Sequence, residues 1–249
     1  MKITITFPDG SKNAFDSGIT PQAIARTISQ RLAKEALAAL VDGTPADLAA
    51  PLTKDCALQL LTFEDAEGKE VFWHSAEHIT TAALKRLYPE IRLAMGPPIE
   101  NGFYADFDSS QTFSEKDFEK TEQEIQNIIK EDLPFTRKEL TIQEARSLFR
   151  DNPYKQEWLD EIEKEQGSQV RVTAYTTGDG FVDLCIGPHV PSTGMVKNIK
   201  LTRVAGAYWR GDAKNKMLQR IYGIAFPRNQ SSNSISTALK RRKSATTGK

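Results

Sequence analysis

The sequence has 249 residues, with 33 lysines and arginines against 33 aspartates and glutamates, three histidines and two cysteines, and 39% of it is hydrophobic. That length and apolar content allow two small domains with real cores, whereas the zero net charge excludes a polycation, so any contact with nucleic acid must come from local basic patches. No apolar run approaches the ~20 residues of a membrane span, and the distant Cys56 and Cys185, behind an N-terminus with no signal-like segment, predict a soluble, cytoplasmic protein in a reducing compartment rather than a disulfide framework.

Residues 1–63 read as a small separate unit. Ile3, Ile5 and Phe7 alternate with polar residues, Pro8-Asp9-Gly10 turns the chain, and Lys12 to Phe15 returns as the second strand of a hairpin. Thr20 and Pro21 are an N-cap and first helical position, after which Ile24, Ile28 and Leu32 recur at helical spacing. Leu37 to Val41, a turn at Asp42-Gly43, and Leu58 to Phe63 supply further strands. This ββαβ-like order fits a ubiquitin-like β-grasp module.

Residues 64–226 form the second unit. A turn at Glu67-Gly68 and a short strand from Glu70 to Trp73 are expected to precede a helix from His74 to Leu87, with Ile79, Ala83, Leu84 and Leu87 on its buried stripe. That start places His74 and His78 near the helix N-terminus, where partial positive charge favours neutral imidazole. Gly96-Pro97-Pro98 breaks the chain, and Phe103, Tyr104 and Phe107 are candidate core or pocket-wall aromatics. Ser114 caps a helix carrying Phe118, Ile125, Ile128 and Ile129 and stopped by Pro134, its Glu and Lys residues forming a solvated face. A briefer helical pattern runs from Leu140 to Phe149, ended by Asn152-Pro153. Val170 to Tyr175 and Phe181 to Leu184 are expected to pair across Thr177-Gly178-Asp179-Gly180, delivering Cys185 directly off a strand end. Residues 227–249, rich in Ser, Asn, Thr, Lys and Arg, read as a disordered basic tail whose Lys240-Arg241-Arg242-Lys243 run is a solvated terminus.

All three histidines and one of the two cysteines fall into matched spacings, His74-Ser-Ala-Glu-His78 and Cys185-Ile-Gly-Pro-His189. Residues four apart on a helix share a face, so His74 and His78 can aim both imidazoles at one spot. Gly187 and Pro188 make the second segment a turn able to bring a thiol and a third imidazole there. Such a set suits a tetrahedral zinc ion, and equally a hydrolytic site that needs a base near neutral pH.

Four stretches, namely the β-grasp pattern, the HSAEH helix, the segment MGPPIENGFYADF, and above all VDLCIGPHVPSTG followed by AGAYWRGDAKNKMLQRIYG, resemble the N-terminal half of bacterial threonyl-tRNA synthetases over most of the chain. The resemblance implies an α+β architecture: a TGS domain, then a larger α+β editing domain related to that of alanyl-tRNA synthetases. It implies hydrolysis of Ser-tRNA(Thr) to serine and free tRNA. Serine lacks only a methyl of threonine, and a methylene is worth only ~1 to 3 kcal/mol in binding, so a second site must supply the remaining discrimination.

On that resemblance, His74 or His78 is the base that activates water, Lys155 positions the water or the ribose hydroxyls, Asp183 holds the substrate ammonium, and Cys185 and His189 complete the pocket that measures the side chain. Tyr104, Gly96 and Pro97 belong to the substrate-binding wall. Lys197, Lys200, Arg203, Arg210, Lys214, Lys216 and Arg220 are candidate contacts to acceptor-stem phosphates, with Tyr208 and Trp209 available for stacking. The alanyl relatives hold zinc with the HxxxH plus CxxxH set, whereas the threonyl editing site works by water activation without a required metal. The cofactor expectation is therefore none, or Zn2+ on His74, His78, Cys185 and His189.

The sequence departs from the family at Phe103-Tyr104-Ala105-Asp106, where the family commonly reads Phe-Tyr-Tyr-Asp, so a ring expected to line the pocket is missing. It departs again at about Pro227, and no class II aminoacylation domain, ATP site or anticodon-binding domain is expected in it. The expected partners are tRNA(Thr) and its seryl form, and a separate threonyl-tRNA synthetase, with neither DNA nor membrane. Three functions compete: an editing hydrolase acting in trans, a truncated synthetase fragment that binds tRNA or a partner without catalysis, and a zinc-dependent hydrolase of an unrelated small ester or amide. Deacylation assays on Ser-tRNA(Thr) and Thr-tRNA(Thr) test the first, and ligase motifs in another frame just downstream of the coding sequence would mark the second.

Overall fold

A computed structural model describes residues 1–227; the expected tail beyond Pro227 lies outside the described residues. Strands β1 (Lys2–Thr6) and β2 (Lys12–Asp16) form the N-terminal hairpin, with Ile3 and Ile5 buried on one face. Helix α1 (Pro21–Ile28) starts as expected, the Thr20 hydroxyl accepting from the amide of Ala23 with Pro21 at the first position. Ser29 ends it and caps α2 (Gln30–Glu35). Strands β3 (Ala38–Val41), β4 (Thr44–Ala46) and β5 (Cys56–Leu61) complete a sheet of order β2-β1-β5-β3-β4, in which β1 and β5 run parallel. This is the β-grasp arrangement that the hairpin, helix and later strands imply.

Helix α3 (Ala66–Leu87) is the axis of the second unit, and its start corrects the expectation of a turn and a strand before His74. Val71, Phe72 and Trp73 are all buried, so this apolar run is the fully enclosed part of a helix, which periodicity alone cannot tell from a strand. Gly68 is not a turn residue: a Cβ there would overlap the Thr62 carbonyl oxygen, so glycine lets the helix begin tight against the end of β5.

Strands β6 (Arg92–Met95), β7 (Pro98–Ile99) and β8 (Gly102–Asp108) follow, then a capping box between Ser114 and Asp117 that leads into α4 (Phe118–Glu131). Strand β9 (Phe135–Thr141) is exposed along most of its length and lacks an apolar period, which is why it escapes a sequence reading. Thr141 then caps α5 (Ile142–Leu148), so the helical pattern begins after Leu140, which lies in β9.

Asn152-Pro153 ends nothing. Asn152 accepts from the amides of Tyr154 and Lys155 and caps α6 (Pro153–Gln166), whose strongly charged outer faces hide its short buried stripe. Strands β10 (Arg171–Thr177) and β11 (Phe181–Leu184) pair antiparallel as expected, with β9 on the other side of β10. The long hairpin of β12 (Asn198–Tyr208) and β13 (Met217–Phe226) joins β8 in the sheet β12-β13-β8-β6, with β7 also on β8.

The architecture is α+β. Leu37, Ala38 and Leu61 of the β-grasp unit pack into the same apolar cluster as Phe72, Ile79 and Phe103, so the two units meet in a shared cluster, while Ile3, Ile5, Ile24 and Leu58 form a separate core within the β-grasp unit. Among the described residues no helix is long and apolar enough to cross a membrane.

Candidate active site

Helix α3 presents His74 and His78 on one side, and the loop leaving β11 brings Cys185 and His189 against them. Each of the four offers a ligand atom, and these atoms lie within 4.8 Å of one another. Cys185 Sγ is 3.3 Å from His74 Nε2 and 3.3 Å from His189 Nε2. The His189 ring centroid lies 4.4 Å from that of His74 and 4.1 Å from that of His78. The same ring stacks on Phe135, with Tyr175 edge-on. All four residues named from their spacing meet at one place.

The hydrogen bonds fix the His189 tautomer. Ser75 Oγ donates its proton to the Val71 carbonyl at 2.8 Å and accepts the Val190 amide at 3.1 Å. Its contact with His189 Nδ1 at 3.1 Å must therefore use an Nδ1–H donor, which leaves His189 Nε2 as a bare lone pair facing Cys185 Sγ. The Gly187 amide donates to the same sulfur at 3.2 Å. One nitrogen of His78, Nδ1, is buried with no hydrogen-bond partner among the described residues.

The imidazoles are neutral, but for a reason other than the expected one. His74 lies two turns inside α3, beyond the first turn where the helix terminus acts. Burial, with the Lys155 ammonium adding to it, pushes the His74 pKa down to about 4, and burial likewise holds His78 and His189 well below the usual histidine range. Burial also pushes the Cys185 thiol up, partly opposed by the Gly187 amide.

This donor set suits zinc: a tetrahedron built with Zn–N of ~2.0 Å and Zn–S of ~2.3 Å has a sulfur-to-nitrogen edge of about 3.5 Å, close to the 3.3 Å found twice here. The Ser75 bond to His189 is the outer partner that orients a ligating imidazole. Four protein ligands would complete the shell, however, and a catalytic zinc keeps one position open.

A cavity of about 590 Å³ opens beside the cluster. His74, His78, Glu77, Lys155, Asp183, Cys185, Gly96 and Pro97 line it, as do the apolar Met95, Trp158, Val172 and Ile186. Lys155, on the first turn of α6, and Asp183, on β11, are both buried, with Nζ 2.8 Å from Oδ1 and 3.1 Å from Oδ2. The two residues named for separate roles thus form one buried ion pair.

Tyr104 is not a lining residue; its ring lies under the Arg220 guanidinium at 3.8 Å, and its amide reaches the Pro97 carbonyl. Ala105 is fully buried opposite Ile221, on the strand face shared with the core residues Phe103 and Phe107. The missing family ring therefore bears on core packing and not on the cavity wall.

Glu77 is the site residue that the spacing analysis passed over. It sits between the two histidines, lines the cavity at 4% exposure, and packs so close to Gly96 that a Cβ there would overlap its carboxylate. Burial first, and then neighbouring Asp183, raise its pKa well above the usual carboxylate range.

Most of the basic residues named for RNA contact carry internal partners. Lys200 pairs with Glu122, Arg210 with Glu157 and Glu161, Lys216 with Asp108, and Arg220 with the buried Asp106. Arg203 lies over the Tyr222 ring at 4.1 Å. No ion pair is found for Lys197 or Lys214 among the described residues.

Residues 172–222 match the family described as Threonyl and Alanyl tRNA synthetase second additional domain, and residues 3–62 match the TGS domain. The chain is 49% identical over 228 residues to a Threonine--tRNA ligase of Caldanaerobacter subterraneus subsp. tengcongensis, covering 91% of this chain and 35% of that protein. It is 49% identical over 233 residues to that of Thermotoga maritima, covering 92% of this chain and 35% of that protein. It is 50% identical over 228 residues to that of Desulforamulus reducens, covering 91% of this chain and 35% of that protein. The chain thus spans about a third of the length of the curated relatives it matches.

Proposed function

We propose that this chain, which carries the TGS domain and the editing-type second additional domain of the N-terminal region of threonine–tRNA ligases, hydrolyses the ester of serine mischarged on tRNA(Thr). The observation that carries this reading is the shared cavity, in which neutral imidazoles, a buried lysine and two acidic residues meet beside an apolar wall.

Ester hydrolysis needs a positioned water, a group facing the developing oxyanion, and a grip on the amino acid. His74, neutral and lining the cavity, accepts a hydrogen bond from the attacking water and orients it. Its low basicity makes orientation a larger part of its role than outright proton removal. The Lys155 ammonium, held by Asp183, faces the same cavity and stabilises negative charge on the ester oxygen. Asp183 supplies the carboxylate for the substrate ammonium, and Glu77, whose pKa burial raises, offers its carbonyl oxygen as an acceptor. Cys185 closes the end of the pocket where a side chain must be small, and His189, buried and off the cavity wall, backs its sulfur. Zinc, if bound by His74, His78, Cys185 and His189, would be held by four protein ligands as a structural ion, and none of these roles depends on it.

Binding of tRNA(Thr) and action within cytoplasmic translation belong to the same proposal, with Lys197, Arg203 and Lys214 the basic side chains most available to phosphates. The decisive experiment is deacylation of Ser-tRNA(Thr) against Thr-tRNA(Thr). Faster release of serine is expected, and equal inactivity on both would remove the hydrolase reading.

A further inference from the structure

We propose that Asp47, in the N-terminal β-grasp unit, is a positioning residue for the hydrolytic site of the second unit. Asp47 directly follows β4 and is half-buried. Its Oδ2 accepts the Tyr175 hydroxyl at 2.7 Å, and its Oδ1 accepts the backbone amide of His189 at 3.1 Å. Both bonds cross from one unit to the other, and both end on the loop that carries the site or on the ring beneath it.

Tyr175 is 1% exposed, its ring edge meets His189 at 4.7 Å, and a Cβ at Gly187 would overlap its hydroxyl and ring. The Cys185–His189 loop therefore rests on Tyr175 with no clearance. The loop is tied at its start by exchange with Thr173, whose carbonyl accepts the Cys185 amide and whose hydroxyl donates to the Cys185 carbonyl. It is tied at its end by Ser75 and the Val190 amide. Between these anchors one carboxylate holds both the loop backbone at His189 and the ring under Gly187. Hydrogen bonds to a charged acceptor are the stronger kind, so Asp47 limits how far His189 and Cys185 can move relative to His74. The β-grasp unit is thereby part of the site, and its docking against the second unit sets the geometry there.

The experiment compares Asp47→Ala, Asp47→Asn and Tyr175→Phe in the full chain. The first readout is iodoacetamide alkylation of Cys185, mapped by mass spectrometry to separate it from Cys56 and run with chelator present. Loss of both bonds in Asp47→Ala is expected to speed Cys185 alkylation about tenfold. Asp47→Asn can keep both contacts, its carboxamide oxygen accepting the His189 amide and its NH2 donating to the Tyr175 oxygen, so it should restore a rate within about twofold of the parent. A folded Asp47→Ala chain with the parent rate, or an Asp47→Asn chain as reactive as Asp47→Ala, would overturn the proposal. Should Asp47→Ala fail to fold, Tyr175→Phe decides: a rise of about threefold is expected, and no rise overturns it.

The second readout rests on the hydrolase reading. In Ser-tRNA(Thr) deacylation kcat is expected to fall about tenfold in Asp47→Ala with KM within about twofold, since the residue touches no substrate. A parent chain without deacylation defeats that reading, and the alkylation comparison still decides on Asp47.

Discussion

Ser75 Oγ lies 3.1 Å from His189 Nδ1 and receives that ring's proton, because its own proton is committed to the Val71 carbonyl. Ser75→Ala would leave His189 Nδ1–H and the Val190 amide buried without an acceptor. The expected cost is about 1–3 kcal/mol of stability per unsatisfied donor, read by urea denaturation. A roughly 10–100-fold loss in hydrolysis or metal affinity should accompany it, as for other residues that orient a ligating or reacting imidazole. A variant with unchanged stability and activity would show that the His189 tautomer is set elsewhere.

Stability should depend on pH through the same burial. His74, His78 and His189 all have lowered pKa values in the folded chain, against a free value of 6.5. The unfolded chain therefore binds more protons below that value, and the stability they allow is full above pH 6.5 and falls as pH drops toward about 4, where His74 titrates. Glu77 acts oppositely: its raised folded pKa, against a free value of 4.5, means stability is lost as pH rises past 4.5. Glu77→Gln should thus melt higher than the parent by a margin that widens above pH 4.5, while His78→Gln should flatten the acid limb. Thermal melts across pH 4–8 test both, and parallel curves would refute them.

Gly68→Ala tests whether α3 begins tight against the end of β5. Its Cβ would meet the Thr62 carbonyl oxygen, so the start of α3 must shift away from β5. An overpacking cost of about 1–3 kcal/mol is expected, seen as a lowered urea midpoint, whereas a turn at that position would have tolerated alanine. The β-grasp hairpin, the capped α1 and the meeting of His74, His78, Cys185 and His189 were legible because each rests on local spacing or cap chemistry. The first turns of α3 were not, since an apolar run such as Val71–Trp73 looks alike in a buried helix and a strand. Glu77 and Asp47 were invisible for a different reason: their roles depend on contacts with Gly96 and with Tyr175 and His189, far away in sequence.

The Lys155–Asp183 pair should behave as a unit. Both side chains are nearly closed off from solvent, so Lys155→Met leaves an uncompensated buried carboxylate and should cost about 3–5 kcal/mol. Adding Asp183→Asn removes that charge and should recover a large part of the loss, giving a clearly non-additive double-mutant cycle in denaturation. Hydrolysis should not return in the double variant, because the ammonium facing the cavity is gone. Additive stability effects would place the two residues outside a common network.

Zinc should bind and should inhibit. The 3.3 Å separations of Cys185 Sγ from two imidazole nitrogens fit the edge of a zinc tetrahedron, and binding would draw off the proton of a thiol that burial otherwise keeps protonated. Because His74, His78, Cys185 and His189 make four ligands, a bound ion would have no open position for water and would occupy the His74 nitrogen proposed to orient it. Elemental analysis after incubation with zinc should therefore find about one ion per chain, falling in Cys185→Ser. Deacylation of Ser-tRNA(Thr) should slow as zinc is added and recover with chelator. Acceleration by zinc would instead mean that one of the four side chains leaves the metal during turnover, and Cys185→Ser, retaining three imidazoles, would then be more active with zinc than without it.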